Sequence, residues 1–378
     1  MPAVERVLVV GAGVAGPAVA ILLAEKGVTV ELVEQKDEVT AIGSGITLMG
    51  NALRVLKQVG VWSQVEAEGY GFGVTGLRAP DPAGTVVAEI KDAETGGPDL
   101  PATLGMPRPV LAKILVDRAA TLGVTFRFGT TLTGLDQDDT GVTATFGDGS
   151  TGRYDIVIGA DGLHSAVRRL IGIDVEPRST GMAIWRIFTP RPETVTRTDL
   201  YYGGPAYIAG YCPTGENSLY AYIVQDADAS NFELDNAQRA AKLRALSEAY
   251  HGPWDDIREY ITDDRPVNYT FFETHLVDGP WNRGRVVIIG DAAHSCPPTL
   301  AQGAAQSLED AAVLGELLTT ADTLDDQLWK DLTARRLERA RVVVDSSVQL
   351  GQWQIDHVRD ADVPALMGKV STLVSQPA

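Results

Sequence analysis

The chain has 378 residues, of which 44% are hydrophobic and 22% charged, a length and composition that predict a soluble globular protein of two domains. Acidic residues outnumber basic ones by 50 to 32, and the net charge of −18 repels nucleic acid and anionic lipid surfaces, so we expect neither as a partner. Two cysteines are too few for a disulfide framework, which favours a cytoplasmic location.

The first predicted element is an apolar strand that leads directly into a glycine-rich turn. Residues 7–16 have the sequence VLVVGAGVAG, which places Gly11, Gly13 and Gly16 in the spacing GxGxxG. In this spacing the first glycine permits a tight turn, the second lets the backbone approach a pyrophosphate, and the third lets the following helix pack closely on the sheet. The N-terminus of that helix offers free N–H groups and a positive dipole end to phosphates.

A second predicted strand, residues 28–34, ends in an acidic residue. Glu34 follows Gly16 by eighteen residues, a distance that places its carboxylate to bind a ribose diol and to repel the extra phosphate of NADP. Strand, helix and acid together predict an ADP-containing cofactor. Residues 7–24 carry no charge and superficially resemble a membrane span, but three glycines and Pro17 interrupt them, so no membrane partner is expected.

The rest of the chain alternates helical and extended patterns. A turn at residues 147–149 predicts a hairpin, and tyrosines cluster in short alternating segments between about 180 and 272. The chain then returns to a buried parallel-type strand at 285–289. Other predicted elements are a glycine-marked loop at 43–46, a short helix carrying Leu53, Leu56 and Val59, extended segments over 72–90, a helix from Arg108, strands at 124–128, 142–146 and 154–158, and helices near 237–250, 301 and 325–357.

Three further short motifs accompany the glycine-rich turn. Residues 159–168, GADGLHSAVR, follow a strand and open a helix, and residues 290–294, GDAAH, also follow a strand. Upstream of both, residues 108–111, RPVL, start a helix. In the order of these motifs, and over essentially its whole length, the chain resembles the class A flavoprotein monooxygenases of the p-hydroxybenzoate hydroxylase family. Members of that family combine GxGxxG, DG and GD segments with an Arg-x-x-Leu helix.

The resemblance implies an α/β fold, with a Rossmann-like FAD-binding domain, an inserted mixed β-sheet substrate domain and a C-terminal helix. The discontinuous FAD-binding domain is expected to comprise residues 1–71, 101–178 and 273–378, and the substrate-binding domain residues 72–100 and 179–272. The implied activity is hydroxylation of a phenolic or N-heteroaromatic small molecule by O2, through a flavin C4a-hydroperoxide. NADH or NADPH is expected as a transient electron donor, because no second GxGxxG follows a strand.

The resemblance also implies which residues bind FAD. Asp291 is expected to bind a ribityl hydroxyl, with a helix cap as the alternative, and Arg108 to lie beside the ribityl chain. Asp161 and Arg168 are expected near the pyrophosphate, with an ion pair between them as the alternative. The helix that follows Pro298 is expected to point its N-terminus at the flavin and stabilise negative charge there. The full predicted set is Gly11, Gly13, Val14, Ala15, Gly16, Glu34, Gln35, Lys36, Gly45, Arg108, Asp161, Arg168, Asp291, Pro298, Gly303, Ala304 and Ala305.

Candidate substrate and catalytic residues lie mainly in the tyrosine-rich segment. Strand alternation predicts that Tyr207 and Tyr211 share one face, and Tyr202 lies near the position where p-hydroxybenzoate hydroxylase has a substrate-contacting tyrosine. We predict these three tyrosines and Pro298 as catalytic. Arg186, Tyr202 and Tyr211 are predicted to bind substrate, and Arg186 is expected to do so by pairing with a carboxylate of the substrate. For each of these residues, packing in the core is the alternative.

Several other functions stay open on the sequence alone. They are a non-oxygenating FAD-dependent oxidoreductase, a flavin monooxygenase acting on a polycyclic antibiotic, and a nucleotide-binding regulatory protein. A flavin halogenase does not fit, because residues 185–190, WRIFTP, lack the Trp-x-Trp-x-Ile-Pro signature. His294 is usual in the family without being the catalyst, and the five histidines show no metal-ligand spacing, so no metal is predicted. The oligomeric state is open, with a homodimer as one option.

Overall fold

The computed structural model describes residues 2–39 and 45–378, so Gly43 and Ser44 of the predicted glycine-marked loop lie outside the described residues. The strands of the described residues are β1 (Arg6–Val10), β2 (Thr29–Val33), β3 (Gly45–Met49), β4 (Tyr70–Phe72), β5 (Val74–Arg78), β6 (Val86–Lys91), β7 (Thr103–Pro107), β8 (Thr125–Arg127), β9 (Leu132–Asp138), β10 (Gly141–Phe146), β11 (Thr151–Tyr154), β12 (Ile156–Gly159), β13 (Arg178–Pro190), β14 (Asp199–Tyr202), β15 (Ile208–Gly215), β16 (Ser218–Asp226), β17 (Asn268–Leu276), β18 (Asn282–Arg283), β19 (Val286–Ile288) and β20 (His294–Ser295).

The helices are α1 (Ala15–Ala24), α2 (Gly50–Gln58), α3 (Trp62–Glu68), α4 (Arg108–Thr121), α5 (Ala166–Leu170), α6 (Asn236–Ser247), α7 (Pro253–Glu259), α8 (Gly303–Thr320), α9 (Asp326–Ile355) and α10 (Val363–Ser375), with short 3-10 turns at Ala229–Phe232, Gly290–Ala292 and Pro298–Leu300. The predicted helix at 325–357 is therefore α9, and α10 follows it. None of the helices in the described parts of the chain combines the length and apolar character that crossing a membrane requires.

β1 lies inside a six-stranded sheet with the order β18–β19–β12–β1–β2–β8. All neighbouring pairs are parallel except β18 with β19. Val7, Leu8 and Val9 are fully buried, as expected for a parallel strand whose sheet is covered on both faces. The loops after β1, β2 and β12 meet at the carboxyl edge of this sheet, the edge at which doubly wound α/β sheets bind ligands.

An eight-stranded mixed sheet forms the second large part of the molecule, in the order β20–β17–β13–β16–β15–β14–β5–β6. β5 and β6 belong to residues 72–100, and they join the sheet through the parallel pair of β14 with β5. This pairing supports our proposal that residues 72–100 and 179–272 form one substrate-binding domain. Two three-stranded sheets, β3–β7–β4 and β11–β10–β9, complete the strand pairing of the described residues.

The two faces of the eight-stranded sheet have different partners. One face packs against α6 and α7 in an apolar core that includes Trp185, Tyr201 and Trp254. The opposite face lines a large cavity, into which Ile184 and Arg186 point. Because successive side chains of a strand point to opposite faces, the odd positions of β13 supply the core and the even ones supply the cavity wall.

The predicted strand at 154–158 is two strands in the structure. β11 ends at Tyr154 and pairs with β10 across the predicted turn, whereas β12 begins at Ile156 and joins the parallel sheet. The carboxylate of Asp155, between them, accepts hydrogen bonds from the backbone N–H groups of Glu5 (2.7 Å) and Arg6 (2.8 Å). This anchor to the start of β1 turns the chain out of the hairpin and into the neighbouring sheet.

Candidate functional site

One cavity of about 1920 Å³ extends from the carboxyl edge of the parallel sheet to the inner face of the eight-stranded sheet. Most residues that the sequence predicts to bind FAD line it, although they come from distant parts of the chain. They are Gly11, Gly13, Val14, Ala15, Glu34, Gln35, Lys36, Gly45, Arg108, Asp161, Asp291, Pro298, Gly303 and Ala304. The predicted Gly16, Arg168 and Ala305 do not line the cavity.

The three glycines of the first turn have three separate reasons to be glycine. Gly11 has a φ of 105°, and a Cβ there would lie 2.4 Å from the carbonyl oxygen of Ala160. A Cβ on Gly16 would lie 2.0 Å from the carbonyl oxygen of Gly11, so this residue permits close packing of α1 on the turn. A Cβ on Gly13 would meet nothing within 4 Å, which leaves space for a ligand beside the backbone.

Glu34 is held at the edge of the cavity by the backbone on both sides of it. Its Oε2 accepts a hydrogen bond from the N–H of Ala12 (2.9 Å), and its Oε1 accepts one from the N–H of Lys36 (3.0 Å). Each carboxylate oxygen keeps lone-pair capacity for a further donor. The geometry therefore suits a pair of ribose hydroxyls, as the spacing from Gly16 predicts.

Two helix N-termini open onto the cavity without a side-chain cap. Neither Val14, before α1, nor Gln302, before α8, makes a capping hydrogen bond with its side chain. The first backbone N–H groups of both helices are therefore available to an anion or a carbonyl oxygen. The side chain of Ala305 is buried behind the first turn of α8. The predicted contact of this residue with the cofactor is therefore limited to its backbone N–H. Ala301 has a φ of 52°, a left-handed conformation that redirects the chain into α8.

Asp291 and Arg108 are charged side chains that face the cavity, and neither has a hydrogen-bonding or ionic partner among the described residues. Asp291 is exposed to the cavity, and desolvation by the surrounding protein raises the pKa of its carboxyl, while His294 and Arg108 oppose this rise. A ligand that displaces water from the cavity must supply hydrogen bonds to this unpartnered carboxylate. Both residues thus retain the capacity to bind a polyhydroxylated chain.

A buried ionic cluster holds the loop that carries Asp291. Oδ2 of Asp310 accepts hydrogen bonds from the N–H of Gly290 (2.8 Å) and from Nε2 of His294 (2.7 Å), while its Oδ1 accepts one from Nε of Arg336 (2.7 Å). Burial by itself would raise the pKa of Asp310, but His294 and Arg336 lower it to about 2. His294 is therefore a buried structural residue, and it does not line the cavity.

The same cluster extends from α8 to the last helix. Glu309 forms ion pairs with Arg336 (3.0 Å) and Arg339 (2.7 Å). Arg339 and Arg54 also donate hydrogen bonds to backbone carbonyl oxygens of residues 373–376, just after or within the end of α10. The Glu309–Asp310 pair thus braces α8 against α9.

The prediction that Arg168 binds the cofactor is wrong for its side chain. Arg168 is fully buried and donates hydrogen bonds to the carbonyl oxygens of Leu163 (2.9 Å) and Ala292 (2.9 Å) and to Nε2 of His275 (3.1 Å). Burial and the Arg168 charge lower the pKa of His275 to about 4, which keeps its ring neutral. Arg168 therefore joins the DG loop to the GD loop and supports the site from behind.

Asp161 lines the cavity, and it does not form the ion pair with Arg168 that the sequence left open as an alternative. Its carboxylate accepts hydrogen bonds from the hydroxyl of Ser165 (2.5 Å) and the N–H of Val167 (3.0 Å), and it forms no ion pair with Arg168. Arg169, the next residue along, faces the cavity where Arg168 does not. The turn of α5 thus presents a different arginine from the one that the motif suggests.

Two of the three predicted tyrosines face the cavity. Tyr202 is 45% exposed and lines it with no hydrogen bond to its hydroxyl among the described residues. Tyr207 also lines it and donates a hydrogen bond to Oδ1 of Asp226. Partial burial and the Asp226 carboxylate raise the pKa of Tyr207 to about 12, so its hydroxyl keeps its proton at neutral pH.

The prediction for Tyr211 is wrong. Its side chain is 1% exposed and lies on the opposite face of the sheet, where its hydroxyl donates a hydrogen bond to Oδ2 of Asp199 (2.7 Å). The reason is that β15 begins at Ile208, so Tyr207 precedes the strand and does not share its alternation. Tyr211 is therefore a core residue, which is the alternative that the sequence left open.

Arg186 and three residues that the sequence did not single out complete the cavity wall. Arg186 donates hydrogen bonds to the hydroxyls of Tyr220 (2.8 Å) and Thr270 and has no acidic partner within ion-pair distance among the described residues. The additional residues are Tyr222, Cys296 and Asp92. Tyr222 belongs to the predicted tyrosine cluster, but no sequence signal distinguishes Cys296 or Asp92.

These residues fit FAD. The open space at Gly13, the two uncapped helix N-termini and the unpartnered Asp291 and Arg108 are all on one side of the cavity, and the aromatic sheet wall is on the other. A dinucleotide site that shares its cavity with an aromatic-lined sheet defines an FAD-dependent aromatic monooxygenase. The chain belongs to the family described as FAD binding domain, whose family model matches residues 5–347.

Relatives and solved structures agree with this assignment. The protein YetM of Bacillus subtilis (strain 168), provisionally named an FAD-dependent monooxygenase, is 31% identical over 317 residues, which cover 83% of this chain and 84% of YetM. The 6-hydroxynicotinate 3-monooxygenase of Bordetella bronchiseptica (strain ATCC BAA-588 / NCTC 13252 / RB50) is 27% identical over 89% of this chain and 90% of its own length. The crystal structure of a mutant of 2-methyl-3-hydroxypyridine-5-carboxylic acid oxygenase has a TM-score of 0.81 and 25% identity, and covers 96% of this chain and 95% of that one.

Proposed function

We propose that this monooxygenase hydroxylates a small phenolic or N-heteroaromatic ring, with NADH or NADPH as electron donor and O2 as oxygen donor. One observation carries the proposal: the cavity that begins at Glu34 and Gly13 continues without a break to Arg186 and Tyr202 on the sheet wall. A cofactor bound along the first half of this cavity would present its reactive end to a substrate in the second half. The relatives named for hydroxylated pyridine acids support a ring of this size and polarity.

The residues already described would hold FAD along its length. Glu34 would bind the adenosine ribose, the α1 N-terminus the pyrophosphate, Asp291 the ribityl chain, and the α8 N-terminus the flavin ring. Bound FAD, once reduced by NADH or NADPH, supplies the electrons with which O2 is activated and one oxygen atom is transferred to the ring. The positive end of the α8 dipole would stabilise negative charge that develops on the flavin ring during this chemistry.

The cavity wall would hold the substrate and keep water away from the reacting atoms. Arg186, without an acidic partner, would bind an anionic or acceptor substituent of the substrate. Tyr202 would pack against the ring, and Trp353 and Val363 line the same cavity from α9 and α10. Positioning the ring at attack distance and excluding water both favour hydroxylation over unproductive loss of oxygen as peroxide.

Four finer properties belong to the same proposal. NADH and NADPH both stay open as electron donors, because Glu34 is assigned to the bound FAD and does not select between them. We keep the cytoplasmic location, which is supported by the free thiols of Cys212 and Cys296. Larger polycyclic substrates stay an alternative that the cavity volume admits. The homodimer stays a prediction, which light scattering of the holoenzyme would check.

The direct test is NAD(P)H-dependent O2 uptake by the FAD-loaded enzyme with a panel of aromatic acids and heterocycles. The panel contains 4-hydroxybenzoate, 6-hydroxynicotinate, 2-methyl-3-hydroxypyridine-5-carboxylate and 4-hydroxyquinoline. We expect at least one compound to accelerate flavin reduction and to yield a product heavier by one oxygen atom. Flavin reduction that no compound accelerates, together with peroxide as the only product of O2, would contradict the proposal.

Arg186→Met tests the wall assignment within the same assay. Loss of a charge-assisted hydrogen bond to a carboxylate is expected to raise KM for the carboxylate-bearing compounds by about tenfold or more, with a smaller change in kcat. Arg178→Met is the matched control, because Arg178 lies on the same strand, is exposed and does not line the cavity. An equal effect of both substitutions would show that Arg186 does not bind substrate.

A further inference from the structure

Asp92 is a polar residue of the cavity wall that none of the roles above uses. It follows β6 directly, faces the cavity and is half-buried. Its Oδ1 accepts a hydrogen bond from the hydroxyl of Thr75 (2.8 Å), and its Oδ2 accepts one from the hydroxyl of Thr103 (3.2 Å). Its backbone N–H donates to the carbonyl oxygen of Gly73 (2.9 Å), so both main chain and side chain are fixed.

No cation compensates this carboxylate. No lysine or arginine of the described residues forms an ion pair with Asp92. The neighbouring Lys91 is paired with Glu94 at 2.9 Å. A half-buried carboxylate that accepts two neutral hydroxyl hydrogen bonds retains unused lone pairs and a net charge, and both favour a ligand that donates a further hydrogen bond. Burial accordingly raises the pKa of Asp92 and outweighs the two threonine hydrogen bonds.

Thr198 is a second polar residue that lines the cavity. Its hydroxyl oxygen is buried beside the thiol of Cys212 and is therefore not exposed to a ligand. The thiol of Cys212, close to Asp92, does not supply a charge, because burial raises its pKa to about 11. Around these groups the lining is apolar, with Phe72 and Leu77. A fixed carboxylate among apolar lining residues is the pattern of a group that orients a ligand.

Hydrogen bonds connect the segment that carries Asp92 to the residue that precedes α8. Thr95, three residues after Asp92, accepts a hydrogen bond on its hydroxyl from the N–H of Asn51 (3.0 Å). Nδ2 of Asn51 donates in turn to Oε1 of Gln302 (3.0 Å), the residue that precedes α8. Asp92 and the first residues of α8, Gly303 and Ala304, also line the same cavity.

We propose that Asp92 is the hydrogen-bond acceptor for an N–H or O–H group on the substrate ring, and that it selects substrates which carry such a donor. This inference rests on the proposed function, and it narrows the substrate class to rings that carry a hydrogen-bond donor. Where the donor is a phenol, moving its proton to Asp92 breaks the substrate O–H bond and forms one on the carboxylate. The ring then becomes an electron-rich phenolate, which is the form that accepts oxygen more readily.

The test compares matched ligand pairs on the FAD-loaded enzyme. The pairs are 6-hydroxynicotinate with 6-methoxynicotinate, and 4-hydroxyquinoline with 4-methoxyquinoline, and the dissociation constant is measured from the change in flavin absorbance. For the unsubstituted enzyme we expect the donor compound of at least one pair to bind about ten- to a hundredfold more tightly than its methyl ether. In Asp92→Asn and Asp92→Ala we expect this ratio to fall to about threefold or less, with FAD content unchanged.

Asp99→Asn is the matched control, because Asp99 lies in the same segment but is exposed and paired with Lys57. It is expected to keep the ratio of the unsubstituted enzyme. If the Asp92 variants bind FAD and keep the ratio as well, the inference is overturned while the monooxygenase proposal stands. If no pair shows a preference for the donor, the inference is overturned too. If in addition no aromatic compound stimulates O2 uptake, the proposed function fails separately.

Discussion

The two ends of the cavity are built in different ways. The nucleotide end depends mainly on backbone, with a few side chains such as Glu34 and Asp291 beside it: glycines allow close approach, and strand ends and uncapped helix N-termini face the cavity. The substrate end consists of side chains that alternate on strands β13, β15 and β16. Backbone features leave regular traces in a sequence, whereas the face to which a side chain points depends on where its strand begins. The difference explains why predictions for the two ends have different outcomes.

The largest effect is expected where the backbone itself is altered. Gly11→Ala places a Cβ 2.4 Å from the carbonyl oxygen of Ala160 at a φ of 105°, so we expect loss of bound FAD and of most soluble protein. Flavin absorbance per protein measures this. Gly368→Ala, a glycine on α10 with nothing within 4 Å of its Cβ, is the control and should retain FAD.

Gly13→Ala separates the need of the cofactor for a glycine from the need of the fold. No protein atom opposes a Cβ at Gly13, so the variant is expected to fold but to bind FAD more weakly because the methyl group occupies the space of the pyrophosphate. A folded Gly13→Ala protein with full FAD affinity would show that the cofactor does not pass over this residue.

The second effect concerns the buried cluster that supports the backbone end. Asp310→Asn leaves Arg336 without one of its two carboxylate partners, and breaking a buried pair costs about 3–5 kcal/mol of the free energy of unfolding. The pKa of Asp310 is about 2 in the folded state, below its unfolded value of about 3.9, so its contribution is present above pH ~4 and is lost as the pH falls towards 2.

Urea denaturation of apo and FAD-bound protein at several pH values measures both parts of this prediction. Asp278→Asn, an exposed partner of Arg341, is the control and should cost less than about 1 kcal/mol. An Asp310→Asn variant with the stability and acid sensitivity of the unsubstituted protein would contradict the assigned role.

The third effect compares tyrosines on opposite faces of the sheet. Tyr211→Phe removes a buried hydrogen bond to Asp199 and is expected to cost about 1.5–3 kcal/mol of stability without changing substrate affinity. Tyr202→Phe is expected to change stability by less than about 0.5 kcal/mol, because its hydroxyl has no partner among the described residues. Thermal unfolding measures the stability of both variants, and ligand titration measures their substrate affinity. Lower substrate affinity of Tyr211→Phe, with unchanged stability, would place Tyr211 at the substrate.

The smallest effect is expected at the ribose. Glu34→Gln keeps the shape of the side chain but removes the charge that strengthens hydrogen bonds to hydroxyl donors, and we expect about tenfold weaker FAD binding. Glu66→Gln, an exposed position on α3, should leave FAD affinity unchanged. Equal affinity of the Glu34 variant and the unsubstituted protein would mean that the ribose lies elsewhere.

The sequence predicts the nucleotide end well for a physical reason. The spacing of Gly11, Gly13 and Gly16 reflects steric limits on the main chain, and the buried strands show as uninterrupted apolar runs. The resemblance to flavoprotein monooxygenases, which carries the fold and FAD assignments, rests on the same backbone motifs and is confirmed by the family match. The predicted start of one helix is also close to the observed one, since α8 begins two residues after the predicted Ala301.

The substrate end is harder to predict because its contacts are long-range. Strand alternation predicts a shared face for Tyr207 and Tyr211, but Tyr207 lies before β15 begins, so the alternation of this strand does not connect the two residues. A side-chain prediction at the nucleotide end fails for a similar reason: Arg168 and Arg169 are adjacent in sequence, and only the packing of α5 decides that the first is buried and the second faces the cavity. The environment of Asp92 depends on Thr75 and Thr103, which no periodicity connects to it.

The alternation along β13, β15 and β16 has a consequence for how such an enzyme diversifies. Positions such as Ile184, Ile208 and Val224 can be exchanged while Trp185 and Ala209, one residue away, keep the neighbouring layer intact. A combinatorial library confined to the inward positions would therefore remodel substrate preference while sparing the scaffold that carries the flavin. Because adjacent residues of these strands have separate roles, the cavity wall is a suitable region for directed evolution.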